Sequence, residues 1–337
     1  MKKMAKKNRG ESIFKVTKSA PLEPSNFDNF IHFQTPKENS KIEIRMALKR
    51  VLKQMELNGN RPRTINDYNK QFNDFINKCK IVYISDITVD KIYQWLESMG
   101  NVQNSTKRIR FKALASILNR FFENGWIPNK FWRVIKIKVD EKVKEATTPE
   151  DVARLLKILD LSNYFEFRDA CAVLLIYQTG IRINTLSQLE TKHINFEQKC
   201  LILDGSIMKN RKLSMLPLSD DMLEMLSLLI YQNNIIRNSK NVDNNLIFIT
   251  MEGTSVQKSD KSNAIRRRLG TYSKDFDIPN INPHALRRGF ATNLLRKGAS
   301  VALISKALSH ADLETTSRYL YLDSTEAANE LRSYLDS

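Results

Sequence analysis

The sequence predicts a mainly α-helical protein with a small β-sheet, divided into a helical first domain and a mixed α/β second domain. Three observations carry that prediction. Apolar residues recur at helical spacing from Glu38 to about Val139. A helix-start signal at Thr148 then follows a charge-rich stretch without helix stops, which marks a domain boundary. Beyond it, only three short apolar runs, at 200–203, 213–216 and 246–250, read as strands. A chain of 337 residues is comfortable as two domains, and a 42% hydrophobic share is enough to build their cores, which excludes a disordered protein.

Residues 1–37 mix Lys, Ser, Asn and Pro without sustained periodicity and read as a basic N-terminal arm. The helical domain covers residues 38–139. Thr64 is placed as the cap of a helix carrying Ile65, Tyr68, Phe72 and Phe75, and Thr88 as the cap of one carrying Val89, Ile92 and Leu96. A third helix begins near Ser105 and stops before Gly125, with Ile109, Ala113, Leu114, Ile117 and Phe121 on its core face. Lys107, Arg108, Arg110 and Lys112 crowd its first two turns, where cations oppose the helix dipole. A phosphate partner would compensate them, and a solvated basic face is the alternative.

The stretch Lys136–Lys144 reads as a linker, drawn at residues 140–147, and the second domain runs from 148 to 325. Thr148-Pro149-Glu150-Asp151 opens its first helix with a cap, a proline at the first helical position and an acidic first turn. The strands Cys200–Leu203 and Leu213–Leu216 flank the turn-like segment Asp204–Lys212 and form a β-hairpin, and Leu246–Thr250 is a third strand. In the tail, 326–337, Ala327, Leu331 and Leu335 stand four apart on a short amphipathic helix.

Lys and Arg outnumber Asp and Glu by 54 to 37, a formal charge of +17 that favours a polyanionic partner. Cys79, Cys171 and Cys200 stand far apart with no CxxC or Cys/His cluster, so neither a structural zinc nor a disulfide framework is expected, and a reducing compartment is. The basic start, Met1–Arg9, is not followed by an apolar segment, and no apolar run approaches the roughly 18 residues of a membrane span. A cytoplasmic protein is expected.

Four features of the second domain bear on chemistry. Thr179-Gly180-Ile181-Arg182 closes the apolar run Ala172–Tyr177 and sets a guanidinium at an element end, where its fork can hold two oxygens of one phosphate; taken alone, a structural salt bridge serves as well. Lys209 sits in the hairpin, where an ammonium can give a proton to a leaving oxygen, with Lys212 as a competing choice. His284 and Arg287 stand three apart on one helix face after Pro283, opposite a buried stripe of Leu286, Phe290 and Leu294. Leu308-Ser309-His310 is followed nine residues later by Tyr319. Two of the chain's four histidines fall in these features.

In this order the features resemble the tyrosine recombinase (phage integrase) family, over roughly residues 38–325. The first domain looks like the family's helical, SAM-like core-binding domain and the second like its catalytic domain. The family pattern is an Arg in a TGxR box, a hairpin Lys, an HxxR pair, a second His or Trp, and a Tyr. It falls here on Arg182, Lys209, His284 with Arg287, His310 and Tyr319. The resemblance implies cutting and rejoining of double-stranded DNA through a 3′-phosphotyrosyl intermediate. Tyr319 would attack the phosphodiester, Arg182 and Arg287 would clamp its non-bridging oxygens, and His310 would donate to one of them. Lys209 would protonate the departing 5′ oxygen. His284 would help remove the proton of a phenol whose ordinary pKa is about 10. No cofactor and no metal are expected, in keeping with the lack of a GxxxxGK[ST] loop or an obvious carboxylate cluster.

Three positions depart from the pattern. Thr185 stands where an acid is usual, three residues after the first Arg. Arg288, followed by Gly289, stands where a His often follows the HxxR pair and is read as a DNA contact together with the cations of the third helix. Tyr321 lies two residues beyond Tyr319. Further partners implied by the resemblance are other copies of the chain, four on two paired duplexes, with the tail docking on a neighbour or on its own domain. The rival functions are a repressor of a mobile element on the same fold without strand cleavage, a helix–turn–helix regulator using Ala302–Tyr319, and a type IB topoisomerase.

Overall fold

The computed structural model describes residues 42–140, 144–208, 212–259 and 262–309. The chain forms two compact units that divide between Glu141 and Lys142. The expected N-terminal arm, Lys209, His310, Tyr319 and the tail helix all lie outside the described residues.

Among the described residues of the first unit four α-helices form: α1 (Ile44–Leu57), α2 (Pro62–Cys79), α3 (Val89–Glu97) and α4 (Asn104–Glu123). In α1 the apolar residues Ile44, Ala47, Leu48, Val51 and Met55 recur every three to four positions, and all are buried. The second helix starts two residues before the expected cap. Pro62 takes the first helical position, where its locked φ suits the helix and its missing N–H costs nothing, so Thr64 lies inside the first turn. Thr88 caps α3 as expected, its hydroxyl accepting from the Lys91 N–H at 3.2 Å. Aromatic rings fill the core edge-to-face: Phe72 meets Phe75 and Phe121, and Phe75 meets Trp95, with centroids 5.5–6.0 Å apart. Ile109 does not join them and is 68% exposed. The buried face of α4 is set by Leu114, Ile117, Leu118 and Phe121. At 3.6 residues per turn, Ile109 lies more than about 100° around the helix from the middle of that face.

The second unit opens with α5 (Pro149–Ile158), capped by Thr148 through the Asp151 N–H at 3.1 Å. Then come α6 (Tyr164–Thr179), α7 (Ile183–Leu186), β1 (Ile194–Asn195), β2 (Cys200–Leu203), β3 (Ser214–Pro217) and α8 (Asp220–Lys240). The remaining elements are β4 (Gln257–Ser259), β5 (Ser262–Asn263), α9 (Ala264–Asp275), α10 (Pro283–Arg296) and α11 (Val301–Ala307). Ten residues of α6 are buried, more than one face can supply, because neighbouring helices pack around it. The hairpin forms with Leu201 opposite Leu216 and Leu203 opposite Ser214, and β1 adds a third antiparallel strand. Its second strand begins at Ser214, one residue later than expected, and Leu213 is 67% exposed.

The expected strand at Leu246–Thr250 is not one. Ile247, Phe248 and Ile249 are fully buried, but only isolated bridges form, Glu190 with Leu246 and Ile249 with Ser255. Side chains take the carbonyls that a ladder would have used. Arg237 Nη1 donates to the Leu246 carbonyl at 3.0 Å, Asn233 Nδ2 to that of Ile247 at 2.7 Å, and Arg168 Nη1 to that of Ile249 at 2.8 Å. A buried apolar run satisfied this way carries the composition of a strand without its pairing. The Tyr164 hydroxyl joins the arrangement by donating to Asn233 Oδ1 at 2.8 Å, and burial pushes the phenol up to about 12, which keeps it a donor.

Helix α6 is tied to α9 by a buried charge cluster. The Asp169 carboxylate accepts from Arg168 Nε at 3.1 Å and Nη2 at 2.8 Å, from Arg268, and from the Tyr272 hydroxyl at 3.1 Å. Asp169 is fully buried and Arg168 almost so. The register of α6, and with it the turn that follows, is thereby fixed against α9.

Candidate active site

The turn after α6 is made by Gly180, in the left-handed region at φ 66°. A Cβ there would also meet the Phe290 ring at 2.5 Å and Leu308 at 2.8 Å, so glycine serves both the backbone conformation and the approach of α10 and the end of α11. Two residues on, Arg182 occupies the N-cap of α7, half-buried.

Helix α10 begins with Pro283 at its first position and the Asn282 side chain accepting from the Ala285 N–H at 3.0 Å. One turn in, Arg287 is buried, 3% exposed. Its Nη1 donates to the Gly180 carbonyl and its Nη2 to the Leu308 carbonyl at 2.6 Å. These bonds fix the guanidinium plane and leave its charge intact. Leu286 and Phe290 are buried as expected and Leu294 is partly so. Gly289 is needed for packing: a Cβ would run into the Thr147 carbonyl and the Tyr177 ring.

These elements frame a narrow crevice lined by Gly180, Arg182, Thr185, Met208, Arg287 and Ser309, together with Leu203 and Leu216 of the hairpin. Two of the six expected catalytic residues, Arg182 and Arg287, therefore come together although 105 positions apart in sequence. Met208 and Ser309, the immediate neighbours of Lys209 and His310, line the same crevice.

His284 does not line it. It sits one turn before Arg287 on α10, facing solvent. Its pKa is lowered, first by partial desolvation of the ring and then by the charges of Arg266, Arg288, Arg287 and Lys144, which favours the neutral imidazole a general base requires. Arg266 has no counterpart among the expected site residues; it belongs to the Arg266-Arg267-Arg268 run, which carries no motif.

Arg288 does something the sequence did not suggest. Its Nε and Nη2 donate to the Glu145 carbonyl at 2.9 and 2.6 Å, stapling the chain entering this unit to α10. The Thr147 N–H, donating to the Ala285 carbonyl at 3.2 Å, reinforces the staple. On α4 of the other unit, Lys107, Arg108 and Arg110 are half-buried and Lys112 is exposed, and none of them forms an ion pair with a carboxylate among the described residues. Among those residues no cluster of three or more His, Cys, Asp or Glu side chains can hold a metal, and no helix is long and apolar enough to cross a membrane.

Comparison with known proteins places the chain among recognisable relatives. The family model described as "Phage integrase family" matches residues 145–326. A protein named tyrosine recombinase XerD from Staphylococcus haemolyticus is 27% identical over 262 residues, covering 76% of this chain and 86% of that protein. A tyrosine recombinase from Thermosipho africanus is 27% identical over 252 residues, covering 72% and 83%. Among solved structures, the Tn1549 transposon integrase in complex with transposon right end DNA superposes with a TM-score of 0.66 at 16% identity, covering 86% of this chain and 99% of that one. XerH site-specific recombinase in a post-cleavage complex with a palindromic difH substrate gives 0.64 at 20% identity, covering 89% and 91%. These structural likenesses speak to the fold.

Proposed function

The chain belongs to the phage integrase family, and on that premise we propose that it is a site-specific DNA recombinase that cuts and rejoins duplex DNA through a 3′-phosphotyrosyl intermediate. One observation carries the reading: Arg182 and Arg287 meet in a single crevice whose walls also hold the immediate neighbours of Lys209 and His310. Two arginines lining one crevice suit a phosphodiester gaining negative charge under attack.

In this reading Tyr319 is the nucleophile. Its phenolic oxygen bonds to phosphorus as the bond to the 5′ oxygen breaks. Arg182, Arg287 and His310 hold the non-bridging oxygens, Lys209 gives its proton to the leaving oxygen, and neutral His284 takes the phenolic one. The phosphotyrosyl bond conserves the energy of the broken linkage, so rejoining needs no nucleotide hydrolysis. The partner is double-stranded DNA, in line with the named ligands of the Tn1549 integrase and XerH structures. Assembly as four copies on two paired duplexes, in the cytoplasm of a host cell, completes the proposal.

A nicked duplex that loses its short 5′ fragment after cleavage tests it by trapping the intermediate. The wild-type chain is expected to give a covalent protein–DNA adduct, and Tyr319→Phe none. Site-specific binding without any adduct would assign the chain to a regulator instead.

The first unit supports the reading through α4. Changing Lys107, Arg108, Arg110 and Lys112 together to Gln is expected to weaken binding to all duplexes. The slope of log affinity against log salt should fall by about 0.9 for each phosphate contact removed. Titrations at several salt concentrations check this; an unchanged slope would make the cluster a solvated face.

A further inference from the structure

The side chain that departs from the family's usual acid makes a contact an acid could not make. Thr185 is buried, 3% exposed, and lines the crevice beside Arg182 and Arg287. Its Oγ1 donates to the carbonyl of Ile207 at 3.2 Å. An ionised carboxylate only accepts hydrogen bonds, and set against that carbonyl it would be repelled. The threonine hydroxyl thus connects α7, which Arg182 caps, to the outgoing arm of the hairpin, two residues before Lys209.

The rest of that arm is anchored as well. The Ser206 N–H donates to Asp204 Oδ1 at 2.7 Å, and the Met208 side chain is buried. His193 accepts the Glu190 N–H at Nδ1, at 2.9 Å, so that Nε2 carries its proton when the ring is neutral, and Nε2 lies 3.6 Å from Asp204 Oδ2. Asp204, Ser206 and Met208 fix the shape of the arm, and Thr185 bonds it to the segment that carries the arginine.

We infer that Thr185 is a positioning residue for proton donation: its hydroxyl holds the hairpin arm so that Lys209 reaches the leaving 5′ oxygen. This rests on the proposed role of Lys209. In this role Thr185 acts through the hairpin arm and exchanges no proton with the reacting atoms. Its loss should therefore impair one half-step, transfer of a proton from the Lys209 ammonium to O5′ as the P–O5′ bond breaks, and leave the phosphate clamp in place.

Replacing the bridging 5′ oxygen by sulfur isolates that half-step. A thiol's pKa of about 8.5 lets the group depart as a thiolate without a proton, whereas an alkoxide needs one. The experiment compares full-length wild type, Thr185→Val, Thr185→Ser and Lys209→Ala, each cleaving ordinary and 5′-sulfur-substituted sites in single turnovers. Thr185→Val keeps the shape and removes the donor. It is expected to slow ordinary cleavage by roughly 10- to 100-fold, a partial loss of the about 10²–10⁴-fold that general acids contribute. On the sulfur site it should return to within a few-fold of wild type, and Thr185→Ser should stay close to wild type on both.

Equal slowing of Thr185→Val on both substrates would overturn the inference and make the contact a general prop of the crevice; unaltered cleavage of both would overturn it too. If Lys209→Ala is not rescued by sulfur while the wild type cleaves both sites, the failure belongs to the proposed role of Lys209.

Discussion

Arg287→Lys is expected to lower the single-turnover rate of strand cleavage by roughly 10²–10³-fold, the usual cost of losing one preorganised donor to a developing oxyanion, with affinity for an isolated site changed far less. The guanidinium holds the Gly180 and Leu308 carbonyls while keeping its positive charge in the crevice. An ammonium is a single point donor group and cannot match a fork that bonds two backbone segments at once. Arg287→Ala should go further and lower stability as well. It leaves two carbonyls at a buried position without that donor, at about 1–3 kcal/mol each. Cleavage kinetics beside thermal unfolding separate the two effects: the lysine variant should fold and bind yet cut poorly.

Asp169→Ala should be the most destabilising single change in the second unit, by about 3–5 kcal/mol. It strips the carboxylate from a buried Arg168 and leaves that charge uncompensated. Arg268 and Tyr272 lose the same partner. Urea unfolding at neutral pH measures the loss. Because the cluster fixes α6 against α9, and α6 ends in the Gly180–Arg182 turn, cleavage should fall more than the folded fraction alone accounts for. A variant as stable as the wild type would show that packing, without the buried ions, positions α6.

Much of this architecture was legible in the sequence because local signals agree with the fold. Thr88 and Thr148 stand before acidic first turns and cap as they promise. The hairpin strands are bounded by turn residues, and Gly180 ends α6 in the left-handed conformation that glycine adopts readily. The errors have local causes. Pro62 outweighed Thr64 as a helix start. Ile109 shares an apolar side chain with the core of α4 but not its angular position. The 246–250 run was read as a strand because hydrophobicity reports burial, whereas pairing depends on Arg168, Asn233 and Arg237, which come from elsewhere in the chain.

The site divides in the same way. The ordered motifs named Arg182 and Arg287, and their meeting in one crevice is a fact of three dimensions that no spacing contains. The partners of Arg288 and Thr185 were beyond sequence reasoning, since both bond to backbone carbonyls that any residue would supply. Thr185 left one trace: it breaks a pattern. The residue in place of the usual acid is in the structure a donor to the carbonyl of Ile207.

The chemistry stands or falls on which oxygen carries the DNA. Mass-spectrometric mapping of the trapped covalent complex, together with end-labelling of the released strand, answers this in one preparation. The account predicts the Tyr319 phenolic oxygen joined to a 3′ phosphate, with a free 5′ hydroxyl on the departing strand. An adduct on Tyr321, or a 5′ phosphate on the released end, would contradict it.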